Sequence, residues 1–125
     1  MGKLFFNSRD ELVFIDFNDV ALVQADGNYC KLMFIDRREM PLSIGINKLS
    51  DMISQIRFEK ALFVKIGRSL LINQSFLERI DMLKQQIILA DKGVQPIRIT
   101  APKQVLKDYK TFLAEKYRMK PQENQ

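Results

Sequence analysis

The stretch Phe63-Val64-Lys65-Ile66-Gly67-Arg68-Ser69-Leu70-Leu71-Ile72-Asn73 decides how the rest of the chain is read. Phe63, Lys65 and Gly67 alternate with Val64, Ile66 and Arg68, which is the period of a strand, and a run of aliphatics follows. Between the two apolar runs, Gly67-Arg68-Ser69 supplies a flexible backbone point, a planar five-donor cation and a small hydroxyl. A lone glycine in a strand pattern marks a bend or bulge. It also suits a place where a sheet aims an arginine at a partner. The expectation is a strand, a corner, and a longer strand continuing through Gln74-Ser75 towards Phe76, Leu77, Ile80 and Asp81.

Upstream, Lys3–Ser8 and Glu11–Phe17 read as short strands around the polar turn Asn7–Asp10, and Asp19–Ala25 carries the apolar run Val20-Ala21-Leu22-Val23. Asp26-Gly27-Asn28 signals a hairpin, because all three residues tolerate positive φ. Tyr29–Ile35 returns, Asp36–Glu39 is a polar turn, and Met40–Ile44 is a strand whose Pro41 predicts an edge. Ile46, Leu49, Met52, Ile53 and Ile56 then recur at helical spacing, predicting a short helix that covers one end of the sheet. Downstream, Gln86–Ala90 is a strand, Asp91-Lys92-Gly93 a hairpin turn, and Val94–Thr100 a strand marked as an edge by Pro96. Thr100 is the expected N-cap of a last helix, with Pro102 in its first turn and an apolar stripe of Val105, Leu106, Tyr109, Phe112, Leu113 and Tyr117. Residues 1–118 form the expected domain and 119–125 a frayed tail. The predicted class is mostly β: elongated antiparallel sheets with one short central helix and a C-terminal helix.

Composition limits the chemistry. The 125 residues are 46% hydrophobic and 28% charged, typical of one globular domain. No apolar run approaches the ~20 residues of a membrane span. Residues 1–8 lack the features of a secretory signal, and the single Cys30 suits a reducing compartment, so a cytoplasmic location is expected. There is no histidine, which removes the commonest general base and metal ligand, and one cysteine cannot build a structural zinc site. The five glycines are scattered singly, without a nucleotide-binding motif. Neither an enzyme nor a cofactor is expected.

Charge is divided unevenly. Residues 1–62 carry 8 Lys or Arg against 9 Asp or Glu, a net of −1, whereas residues 63–125 carry 12 against 6, a net of +6. A basic half suggests a polyanion, nucleic acid before a membrane surface. The alternative is a lysine-rich solvated helix face.

Two stretches resemble a known family. Asp19-Val20-Ala21-Leu22-Val23-Gln24-Ala25-Asp26-Gly27-Asn28-Tyr29 is similar to the "D-I-x-x-I-E-A-x-x-N-Y" stretch of LytTR DNA-binding domains, and Phe63–Asn73 to that family's "F-x-R-x-H-R-S-x-[LI]-V-N". The resemblance runs from about Phe5 to about Lys107. It implies a LytTR-like β-β-β sandwich that binds double-stranded promoter DNA, often at direct repeats, through three loops instead of a recognition helix. The chain then reads as a bacterial transcriptional regulator without a receiver domain, either a stand-alone protein or an excised response-regulator effector domain. Carried over, the loops are Asn28, Tyr29 and Cys30; Gly67, Arg68 and Ser69; and Thr100–Lys103. Lys65 and Lys103 suit phosphate, and Arg68 suits guanine O6 and N7. Asn73 completes the candidate set.

Two positions depart from the pattern. Gly67 stands where the family has histidine, and Thr100-Ala101-Pro102-Lys103 leaves one cation where the family has serine followed by basic residues. These departures motivate a second reading: a protein-interaction module on the same fold that does not bind DNA and pairs with another regulator through an exposed strand edge; self-association is a further partner expectation. Several residues also have structural readings. Arg68 can pair across the sheet, Asn28 can serve as a positive-φ turn residue, and Asn73 can bond local backbone. Tyr29 is expected in the core with its hydroxyl outward, and Cys30 as an inert half-buried thiol.

Overall fold

The computed structural model describes residues 3–59 and 61–118; the tail predicted at 119–125 lies outside them. Among the described residues, ten strands form three antiparallel sheets. In chain order the strands are β1 (Lys3–Asn7), β2 (Leu12–Asp16), β3 (Val20–Asp26), β4 (Tyr29–Phe34) and β5 (Glu39–Leu42), then, after helix α1 (Ile46–Ser54), β6 (Phe63–Ile66), β7 (Leu70–Asn73), β8 (Leu77–Asp81), β9 (Gln86–Leu89) and β10 (Ile97–Thr100), with helix α2 (Lys103–Tyr117) last. The five-stranded sheet has the order β5-β4-β3-β7-β6, the three-stranded sheet β10-β9-β8, and β1 pairs with β2 alone. No helix among the described residues is long and apolar enough to cross a membrane.

The central sheet is buried on both faces, which explains why its inner strands do not alternate in sequence. Leu71 packs with Ile15, Phe17, Val23 and Leu49 in one core, whereas Leu70 and Ile72 pack with Ile87, Leu89 and Leu106 in another. The β1–β2 hairpin and α1 contribute to the first core, and the β8–β10 sheet and α2 to the second. β3 shows the same division, with Val20 and Val23 on one side, Ala21 and Leu22 on the other, and an irregular register between Val20 and Leu22. A strand covered on both faces needs apolar residues at consecutive positions, at roughly 1.5 to 3 kcal/mol for each fully buried aliphatic or aromatic side chain.

The Phe63–Asn73 stretch is a hairpin, not a strand with a corner. Phe63 pairs with Asn73 and Ile66 with Leu70, so Gly67-Arg68-Ser69 is a three-residue reversal. Gly67 provides the necessary backbone at φ +64. The predicted longer strand also stops at Asn73, where the side chain accepts the Ser75 amide at 3.1 Å and starts the single-turn helix Gln74–Phe76. Asp16 ends β2 in the same way by accepting the Asn18 amide at 3.0 Å.

Other expectations change at element ends. β10 starts only at Ile97, after Pro96, although it is an edge strand as Pro96 implied; β5, which contains Pro41, is an edge strand too. Thr100 does not cap α2: it closes β10 against Gln86, and Pro102 is the N-cap, without a side-chain bond. The α2 stripe is narrower than its sequence suggests. Leu106 and Tyr109 are buried, but Phe112 is 52% exposed and Tyr117 44%. Helix α1 buries Ile46, Leu49 and Ile53 in the first core, so it lies against a face of the central sheet instead of capping its end.

Candidate nucleic-acid interface

Gly67-Arg68-Ser69 and Gly27-Asn28 emerge at the same end of the central sheet, because β3 and β7 are antiparallel neighbours. The Ser69 carbonyl accepts the Ala25 amide at 2.8 Å, fixing the arginine turn beside the end of β3. From the other direction, a Cβ on Gly67 would lie 3.7 Å from both methyls of Val105, so the start of α2 adjoins the same turn. The structure thus brings all three predicted loops together.

The side chains within those loops have different roles. Arg68 is exposed and has no hydrogen-bond or ion-pair partner among the described residues, so the cross-sheet pairing does not form. Ser69, Asn28 and Lys103 are exposed beside it. Positive φ at the first turn belongs to Gly27, at +61, and not to Asn28. Lys65 is exposed on β6, and its ammonium donates to Asn47 in the first turn of α1. Tyr29, expected in the core, is 57% exposed: pairing with β3 and β5 turns Cys30 inward and leaves Tyr29 at the rim.

Two predicted contacts are corrected by burial. Cys30 is 1% exposed, not half-buried, so its side chain cannot reach a duplex. Burial also pushes its thiol from the ordinary 9.0 up to about 11. We therefore expect Cys30 to resist alkylation at mildly alkaline pH until the protein is unfolded. Stability should be insensitive to the thiol below pH 9.0 and fall as pH rises towards about 11, because the unfolded chain releases a proton that the folded one keeps. Rapid labelling under native conditions would contradict this burial.

Asn73 is fully buried and structural. Its amide donates to the Val20 carbonyl at 2.9 Å, while its Oδ1 accepts the Leu62 amide at 3.2 Å, the Ser75 amide at 3.1 Å and the Ser75 hydroxyl at 2.7 Å. It ties the start of β3 and the residue before β6 to the end of β7, at the end of the hairpin away from the arginine turn, and does not belong to the surface.

One turn was missed in the sequence. Ala101 donates its amide to Gln85 at 3.3 Å, so the β8–β9 turn flanks the third loop and adds an exposed Lys84 and the 98%-exposed Leu83. A lysine between two apolar strands was the available signal. The exposed Asp26 and Asp108 near these loops oppose the positive field. Gly67 also carries a constraint invisible in the family pattern, since any L-residue at φ +64 incurs about 1 to 2 kcal/mol of backbone strain.

No protein-family model matches the chain, and neither does any curated protein. Among solved structures, the chain resembles the LytTR DNA-binding domain of a Bacillus cereus protein assigned as a methyl-accepting/DNA response regulator, with a TM-score of 0.56 over 92% of this chain and 95% of that one. The fold is LytTR-like. Sequence identity to that domain is 9%, so the similarity is one of fold. In this LytTR-like frame Arg68 occupies a turn whose flanking residues, Ile66 and Leu70, are both buried in the second core.

Proposed function

We propose that this protein is a cytoplasmic bacterial transcriptional regulator that binds double-stranded DNA sequence-specifically through its loop end. The observation that carries the proposal is Arg68: an exposed guanidinium, unpaired among the described residues, on a three-residue turn whose flanking residues, Ile66 and Leu70, are buried. A turn held by buried flanking residues loses little backbone freedom on binding, and the planar five-donor fork suits bidentate recognition of guanine. Lys65, Lys84 and Lys103 serve phosphates, with Asn28, Tyr29 and Ser69 as nearby contacts. Helix α2 contributes its first residue, Lys103, and not a face lying in the major groove.

The test is selection of bound sequences from a random duplex pool, followed by titration of the recovered site at several salt concentrations. Three phosphate contacts correspond to a slope of log K against log salt of about −3. A flat salt response with no enriched sequence would refute the reading. The interaction-module alternative has its own feature, an open edge on β6 beside a groove of about 300 Å³ lined by Val64, Ile66, Val105, Tyr109 and Phe112. Stable retention of another regulator, with none of duplex DNA, would favour it.

A further inference from the structure

The β1–β2 hairpin has one face in the first core and one in solvent. Leu4, Phe6, Val13 and Ile15 point inward. The outer face carries Lys3, Phe5 and Asn7 opposite Asp16, Phe14 and Leu12. Phe5 and Phe14 are each 64% exposed and Leu12 is 53% exposed. The two rings are cross-strand partners with centroids 6.0 Å apart, a contact that supports the hairpin but leaves their outer surfaces wet. Clustered exposed aromatics of this kind mark interaction surfaces.

We infer that this face joins two copies of the chain in a symmetric dimer. The face is complementary in charge to a second copy of itself. Lys3 and Asp16 are register partners, yet no ion pair forms between them within the chain. Stacking two such faces about a two-fold axis parallel to the strands places β1 of each copy over β2 of the other. Lys3 then faces Asp16 of the second copy, and Phe5 faces Phe14 of the second copy, with both relations occurring twice. A two-fold axis lying across the strands instead sets Lys3 against Asn7 and Asp16 against Leu12, leaving both charges without a partner. Charge therefore selects the first arrangement, an aligned packing of sheet on sheet. Asp16 is half-buried, accepts the Asn18 amide on one carboxylate oxygen, and lines a cleft with Asp19, Glu59 and Asp91, an acidic surrounding that favours an incoming lysine.

The axis also has a functional consequence, which rests on the proposed DNA binding. The hairpin turn shares a groove with Ser43 and Ile44, which lead to Gly45 beside Asn28 at the loop end. Both copies accordingly present their loops on the same side of the dimer. Their half-sites would be inverted, not the direct repeats that the family resemblance implies.

The surface of a two-stranded sheet is small, so weak association, with a dissociation constant of about 100 μM, is expected. Sedimentation velocity of the full chain without DNA, from about 1 to 200 μM, reads it directly. Phe14→Asp should raise the dissociation constant about 100-fold or abolish the dimer, with far-UV circular dichroism showing the fold retained. Lys3→Glu should weaken it about 3- to 10-fold and Lys3→Arg should leave it unchanged. A wild-type chain that is monomeric throughout overturns the proposal and leaves the face to a different partner or to solvent. A dimer indifferent to both Phe14→Asp and Lys3→Glu overturns it as well. An intact dimer that binds only direct repeats, or no DNA, removes the half-site arrangement and not the dimer.

Discussion

Replacing Arg68 by alanine is expected to lower affinity for the selected DNA site about 10- to 100-fold, the loss of roughly 1 to 3 kcal/mol associated with a bidentate guanine contact. Because Arg68 is exposed and unpaired among the described residues, the same change should alter folding stability by less than about 0.5 kcal/mol. The separation of the two effects is the informative part. An arginine that worked through the fold would lower the melting temperature and the affinity together. Fluorescence anisotropy at fixed salt, beside thermal denaturation, measures both. Arg68→Lys sharpens the comparison: it keeps the charge and loses the planar fork, so affinity for arbitrary duplex should survive while preference for the selected site falls. Unchanged affinity in Arg68→Ala would eliminate the contact. Gly67→His, which supplies the histidine of the LytTR pattern, is a poorer probe, since it adds backbone strain to the same turn.

Asn73→Ala should have the opposite signature, a large loss of stability at a residue that touches no ligand. It removes the amide that bonds the Val20 carbonyl and the oxygen that receives the Leu62 and Ser75 amides. Each buried backbone group left without a partner costs about 1 to 3 kcal/mol, and shared relaxation makes a total of about 3 to 4 kcal/mol reasonable. For a domain of this size that corresponds to a fall in melting temperature of about 10 to 15 °C. Thermal and urea denaturation would check it. A loss below about 1 kcal/mol would mean that water replaces the lost bonds and that Asn73 is not the link between strands described above. Any weakening of DNA binding by Asn73→Ala should disappear well below its melting temperature, once the folded fraction is restored.

The Arg68 motif was visible in the chain because its residues are adjacent and their chemistry is carried by a single loop. The mostly β class was visible for a related reason, since alternation and turn residues are local properties. The hairpin at Gly67 was not. Alternation of side chains is the same whether a strand bends or reverses, and only the pairing of Phe63 with Asn73 distinguishes the two. Tyr29 and Cys30 were assigned partly to the wrong environments because a one-residue choice of register exchanges the two faces of a strand, and that choice depends on β3 and β5. The predicted stripe on α2 included Phe112 and Tyr117 because helical spacing identifies a face but not how far the neighbouring sheet extends beneath it.

By itself, the sequence determined the fold class, the basic second half, the absence of histidine chemistry and the arginine motif, all of which depend on residue identity and near-neighbour spacing. The packing of distant segments makes Asn73 a buried fastener, puts Cys30 out of reach, sets Lys84 at the border of the loop end and turns Phe5 and Phe14 to solvent. Those assignments depend on which distant segments meet. Burial and hydrogen-bond satisfaction are properties of the assembled sheets, so no local reading of the chain contains them.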